Sequence, residues 1–149
     1  MTAGNVAPMP VPTARLLLAD DVAAVSALRA AALAEIVDAR GGRLYEARPL
    51  PAPGEEARPC WVGELAGAVV GYLVASASGT LGRVDAVYVD HDCRSVGVGT
   101  AMLEPALAWM RARGCTDADA AALPGARATK NFFEESGFTA RLLVVHRRL

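Results

Sequence analysis

Arg94-Ser95-Val96-Gly97-Val98-Gly99 is the stretch of this sequence best equipped for chemistry. An arginine stands three residues ahead of a Gly-x-Gly pair, and a helical pattern follows. Glycines let a backbone come close to an anion and adopt dihedrals that other residues avoid. The first N–H groups of a helix lack internal partners, and its dipole is positive at that end. Arg94 adds a fixed positive charge. Together these features can cradle a phosphate, although the same six residues also fit a turn that only starts a helix. Two nucleotide motifs are excluded by spacing. A Walker loop needs a lysine after its last glycine, where Thr100 stands. A dinucleotide fingerprint needs a third glycine where Met102 stands, and glycines tight against the strand. Here seven residues, Asp90 to Val96, separate Val89 from Gly97. Asp119 lies about 20 residues on, where a ribose-binding acid would be, but one match does not restore that motif.

Other reactive residue types are sparse. Cys60, Cys93 and Cys115 form no CxxC pair and no metal-ligand spacing with His91 and His146, so no metal is expected. Cys93 reads either as a thiol activated by Arg94 and the helix start or as an ordinary turn residue. His91 reads as an exposed turn residue. His146, beside Arg147 and Arg148, reads as part of a solvated edge. Trp61 and Trp109 read as packing residues.

Composition narrows the class. The 149 residues fit one domain. The formal charge is -1, from 15 basic and 16 acidic residues, without the basic excess of a nucleic-acid binder. The start, MTAGNVAPMPVP, lacks the basic cluster and apolar run of a signal peptide, and residues 1–12 read as a flexible tail. Ala66 to Ala77 is too short and glycine-broken to span a bilayer. A cytoplasmic protein without membrane partners is expected, and a sparse, odd cysteine set fits a reducing compartment.

The elements that must position the glycine stretch follow from periodicity. Thr13 to Leu18 reads as a strand. Asp20 and Asp21 read as helix-start residues, and apolar residues recur helically from Val22 to Arg40. Residues 43 to 58, with three prolines, read as a surface loop. Cys60 to Leu65 and Val69 to Ala77 read as a hairpin about Ala66-Gly67-Ala68. Val84 to Val89 is β-branched and aromatic, hence a strand. A helix from about Gly97 to Arg113 contains Pro105, which should kink or weaken it. Cys115 to Leu123 reads as a weak strand, Ala126 to Ser136 as a helix stopped by Gly137, and Phe138 to Arg147 as a last strand. This order predicts an α/β fold over 13–149: one mixed sheet with helices on both faces.

The run VDAVYVDHDCRSVGVGTAMLEPALAWMRARG resembles the signature segment of the GNAT superfamily of N-acyltransferases: a strand, a short turn, an Arg/Gln-x-x-Gly-x-Gly/Ala loop and a long helix. The later run ATKNFFEESGF resembles the family's second helix, which commonly ends in Phe-Tyr-x-x-x-Gly-Phe. The strand order is similar as well. The resemblance implies acetyl-CoA as co-substrate. Its pyrophosphate would meet the backbone N–H groups of Arg94, Ser95, Val96, Gly97, Val98 and Gly99, with Thr100 just inside the helix. Its pantetheine arm would pair with main-chain groups of Val87, Tyr88 and Val89, and Asn131 and Phe133 would lie beside the cofactor. A backbone N–H near Val89 would face the thioester carbonyl and stabilise its oxyanion.

The implied reaction is direct attack of an amine on the thioester. An alkyl ammonium of pKa about 10.4 must first lose a proton. Asp85 is the first candidate base, because strand alternation puts it on the face of Val87 and Val89. The alternative role for Asp85 is a structural hydrogen bond. Glu35 and Asp38 are further candidates. The family's leaving-group tyrosine is replaced by Phe133, which cannot donate a proton. Either a thiolate of pKa about 8.5 leaves unaided, or Ser136, Tyr45 or Tyr88 substitutes, or the chain binds acyl-CoA without efficient catalysis. Two readings therefore stand: an N-acetyltransferase acting on a small-molecule or peptide amine, or a non-catalytic acyl-CoA sensor. The family often ends in two strands, and the residues after Gly137 suffice for one. Either the sheet is shorter than usual, or a second copy completes or covers its open edge as a homodimer.

Overall fold

Ala66 and Gly67 both have positive φ (51° and 80°), the twist that joins two antiparallel strands through a two-residue turn. That turn connects strands β2 (Cys60–Leu65) and β3 (Ala68–Ser78). In the computed structural model, which describes residues 4–46 and 48–149 without the side chains of 45 and 46, this hairpin is the centre of the sheet. Strand β1 (Thr13–Leu16) pairs antiparallel with β2, and β4 (Leu81–Val89) pairs antiparallel with β3. Strand β5 (Asp117–Ala120) pairs parallel with β4, giving the order β1-β2-β3-β4-β5.

Among the described residues four α-helices accompany the sheet: α1 (Val22–Ile36), the single turn α2 (Arg43–Glu46), α3 (Val98–Ala112) and α4 (Arg127–Glu135). Val25 and Leu28 of α1 pack with Val62, Tyr72, Val74 and Tyr88 on one face of the sheet. Met102, Leu103, Ala106 and Met110 of α3, with Phe133 of α4, pack on the other face against Trp61, Leu73, Ala75 and Val84. Helices thus cover both faces, as the sequence predicts. No described helix is long and apolar enough to cross a membrane.

Three expectations need correction. The first helix stops at Ile36 rather than Arg40, and the 43–58 segment contains α2. The last strand, expected over Phe138 to Arg147, does not form. Leu142, Leu143, Val144 and Val145 are 79–85% exposed. Their strand propensity is high, but propensity needs a surface to pack on. Four successive apolar residues define no single buried face. Strand β5 is four residues long and offers only aspartates and alanines beside them.

Candidate functional site

Gly97 is the N-cap of α3 and sits at φ 97°, ψ 7°, in the left-handed region. A side chain there would be strained. Ser95 also has a positive φ, 65°, so the loop turns sharply twice before the helix starts. Gly99 is needed for a different reason. A Cβ at that position would lie 2.8 Å from the Phe132 ring, so the glycine lets α4 pack against the start of α3. The N–H groups of Ser95 to Thr100 donate to no backbone carbonyl among the described residues. Ser95, Val96, Gly97 and Thr100 are exposed, whereas the Val98 side chain is buried and only its backbone is available. A 15-residue helix with its first N–H groups unpaired is a built anion cradle.

Strand β4 leads into that cradle along an open edge. It pairs with β5 only from Leu81 to Val84, so residues 85 to 89 have no strand neighbour on that side among the described residues. The Asp90 N–H donates to the Val70 carbonyl of β3 at 2.7 Å. Alternation of the antiparallel ladder then turns the main-chain groups of Tyr88 toward Tyr72 and those of Val87 and Val89 toward the open edge. Of the three residues expected to pair with an extended ligand, Val87 and Val89 face it. Tyr88 does not, because its main chain belongs to the β3 ladder.

Arg94 does not point freely into the cradle. Its Nη2 donates to both carboxylate oxygens of Glu35 at 2.9 Å, and its Nε donates to the Val89 carbonyl at 2.9 Å. Its guanidinium also lies 5.3 Å from the Tyr88 ring centroid. The arginine therefore clamps the loop to α1 and to the end of β4. Tyr88 donates its hydroxyl to Glu35 at 2.8 Å. Partial burial works against the ionised form of Glu35, and the hydrogen bonds from Arg94 and Tyr88 overcome it, so its pKa lies below the usual carboxylate range. That makes Glu35 a poor proton acceptor. Burial and then the Glu35 contact push the Tyr88 phenol up to about 12, which makes it a weak acid. Neither the clamp nor this triad was legible in sequence, because Glu35 on α1 lies more than fifty residues from both Tyr88 and Arg94.

Asp85 is displaced from its expected face. The β3–β4 register slips between Val74 and Ala75, leaving Asp85 as the unpaired residue of a bulge. Val87 and Val89 pack toward α3. Asp85 instead lines a cavity with Ser76 and Arg83, on the α1 side of the sheet, beside Arg48, Pro49 and Arg58. Simple alternation fails because the bulge puts Asp85 and Ala86 on one side. Asp85 Oδ1 lies 3.4 Å from Arg48 Nη1, and its side chain is 10% exposed. It is the first β4 residue beyond the β5 pairing, so it stands where the open edge begins.

The remaining expected residues separate into two groups. Phe133 is 6% exposed and packs between Phe132 and Phe138, as core. Ser136 donates its hydroxyl to the Phe132 carbonyl at 2.7 Å. Asn131 is exposed on α4. Asp38 lies in the turns after α1. The Tyr45 side chain lies outside those described. His91 and Cys93 form a single 3-10 turn before the loop, and His146 is on the exposed terminal segment. Trp61 packs edge-on against Trp109, with ring centroids 6.2 Å apart.

Comparison with known proteins agrees with this geometry. The model of the acetyltransferase (GNAT) family matches residues 29–138. No curated protein sequence matches the chain. Among solved structures, an aminoglycoside N-acetyltransferase AAC(6')-Iy in complex with CoA is 16% identical, with a TM-score of 0.70 over 97% of this chain and 98% of that one. A ribosomal-protein-alanine N-acetyltransferase from Brucella melitensis biovar Abortus 2308 is 18% identical, with a TM-score of 0.67 over 93% and 100%. A transcriptional regulator from Bacillus halodurans C-125 is 17% identical, with a TM-score of 0.67 over 93% and 99%. At these identities the solved structures establish the shared fold. The match to the family model spans most of the chain, including the open β4 edge, the α3 cradle and the α4 helix behind it: the chain belongs to the acetyltransferase (GNAT) family.

Proposed function

We propose that the protein transfers an acetyl group from acetyl-CoA to the amine of an acceptor by direct attack on the thioester. The observation that carries this reading is the continuity of the open β4 edge with the unpaired N–H groups of Ser95 to Thr100. When bound, acetyl-CoA supplies an activated acetyl group and a pyrophosphate that fits the cradle. The residues of this chain do the rest. The N–H groups from Ser95 to Thr100 hold the diphosphate charge. The main chain of Val87 and Val89 holds the extended arm. The N–H groups of Val87 and Val89 face the open edge, where a donor polarises the carbonyl under attack. The Val89 carbonyl is taken by Arg94, which fixes the peptide plane between Val89 and Asp90.

Asp85 stands at the root of the open edge with Oδ1 in a long contact to Arg48, and Oδ2 accepts the amine proton directly or through one water. Neither Ser136 nor Tyr88 replaces the missing tyrosine: the Ser136 proton goes to a helix carbonyl and the Tyr88 proton to Glu35. A leaving thiolate, of pKa about 8.5, can depart without a side-chain acid. The buried Phe133 ring is also what supports the second reading, an acyl-CoA sensor without turnover.

Thermal unfolding with acetyl-CoA and release of free thiol across a broad amine panel test both. Acetyl-CoA at a hundred times its dissociation constant adds about 2.7 kcal/mol to stability. No shift at saturation overturns both readings, because both need the cradle. A shift without thiol release for any amine favours the sensor. For an accepted amine, Asp85→Asn should lower kcat by about a hundredfold or more. Full turnover by that variant would remove Asp85 from the reaction.

A further inference from the structure

The cavity beside Asp85 has an unusual lining. About 350 Å³ of open space is bounded by Arg48, Pro49, Arg58, Ser76, Arg83 and Asp85. Three guanidinium groups share it with one carboxylate, in a chain whose overall charge is -1. Their existing contacts leave most of that charge uncompensated. Arg48 reaches Asp85 at 3.4 Å, longer than the 2.7–2.9 Å of a tight charge-assisted bond. Arg58 donates Nη2 to the Pro49 carbonyl at 3.1 Å, a neutral partner. The Arg83 side chain, on an exposed residue, makes no hydrogen bond or ion pair among the described residues. Its register partner on β3 is Ser76, so the two side chains stand together on the α1 side of the sheet.

We infer that this cavity binds a carboxylate carried by the acceptor, so that the accepted amines are amino-acid-like: an amine and a carboxylate in one small molecule. The inference rests on the acetyltransferase reading and deepens it. The planar fork of a guanidinium pairs with a carboxylate through two parallel N–H···O bonds, which an ammonium group or a neutral partner does not reproduce. Arg83 and Arg58 supply the forks, and the Ser76 hydroxyl supplies a further donor. Asp85 repels the carboxylate and attracts the ammonium, which orients the molecule with its amine toward the open end of β4. Opposite charges at the two ends of one cavity thus select a zwitterion in a single orientation. A polyamine meets three arginines there and is disfavoured. A neutral amine leaves the guanidinium charges unanswered.

Two measurements test the inference independently. In the first, nitrogen-15 labelled protein is titrated with acetate and, separately, with acetamide. The arginine Nε–Hε resonances are followed by NMR and assigned with Arg58→Gln and Arg83→Gln. Saturable shifts of the Arg58 and Arg83 resonances with acetate but not acetamide are expected. Their absence overturns the carboxylate site, whether or not the protein turns over. In the second, thiol release from acetyl-CoA is compared for amino acids and their carboxamides. The free acid should be favoured in kcat/KM by about tenfold to a hundredfold, the size of a lost charge-assisted pair. In the Arg58→Gln, Arg83→Gln double variant the preference should collapse, mainly through KM, with CoA affinity unchanged. Equal use of acid and amide by the wild type overturns the inference. So does a double variant that loses affinity for CoA, because the cavity would then serve the donor. Acetate binding without thiol release for any amine would instead count against the acetyltransferase reading and leave the anion site standing.

Discussion

Gly97 and Gly99 look equivalent in the motif and differ in what they do. At Gly97 the requirement is conformational: a φ of 97° with little in the way, the Pro12 ring being 3.4 Å from a built Cβ. A β-branched residue there costs roughly 1–2 kcal/mol in the folded state, or the loop refolds to avoid it. Gly97→Val should therefore abolish CoA binding by calorimetry while the protein stays folded. At Gly99 the requirement is packing against Phe132, so Gly99→Val should lower the melting temperature even without ligand. Unchanged CoA affinity in the first variant, or an unchanged melting temperature in the second, would reverse these assignments. The sequence made the cradle legible through the Arg-x-x-Gly-x-Gly spacing taken with the strand before it and the helix after it, since the six residues alone also fit a turn that only starts a helix. It did not separate the two roles, because one depends on a dihedral and the other on a ring from α4. Asp85 shows the same limit. Its place on the strand is read from two-residue alternation, and the bulge that turns it toward the arginines has no local sequence mark.

At the scale of elements, a network of charges joins the start of the chain to the sheet. Arg15 of β1 donates to Asp21 at 2.6 and 3.0 Å and to Glu64 of β2 at 2.9 Å. Asp21 also accepts the Leu18 N–H at 2.8 Å, just ahead of α1. The Arg15 hydrogen bonds lower the Asp21 pKa against the opposing effect of burial, and the Leu18 N–H helps. A carboxylate with a depressed folded pKa stabilises the protein above its unfolded pKa, about 3.9 for aspartate. That contribution is lost as pH falls through the lower folded value. Asp21→Asn should cost about 1–3 kcal/mol at neutral pH, toward the lower end because Arg15 is 37% exposed. The deficit in urea unfolding should shrink as pH falls below about 4, where the aspartate of the unfolded chain takes up a proton, and vanish below the lower folded value. A deficit that stays constant with pH would mean that shape rather than charge holds this corner. The sequence placed Asp21 at a helix start. It could not supply Arg15 as the partner, since that pairing depends on β1 lying beside β2.

For the whole molecule, the sheet is the feature left incomplete. The outer edge of β5 has no strand neighbour among the described residues, and the apolar run from Leu142 to Val145 is exposed. The two surfaces are complementary in charge. Asp117 and Asp119 stand on β5, and Arg141, Arg147 and Arg148 flank the run, with Arg141 already 2.6 Å from Asp119. An unpaired edge is a template for another strand, and exposed leucines and valines gain about 1.5–3 kcal/mol each on burial. Both arguments favour the homodimer, with the terminal segment of one copy lying against the other. Sedimentation velocity over a range of concentrations should show a reversible monomer–dimer equilibrium. Replacing Leu142 and Val144 with aspartate should weaken it by a hundredfold or more, from the lost burial of about 3 kcal/mol at least. The same change leaves the cradle untouched, so CoA affinity per chain should hold. A wild type that stays monomeric at every concentration would show that the run is tolerated as exposed surface. A double variant that still dimerises would place the contact elsewhere, with the open edge of β1 as the next surface to examine.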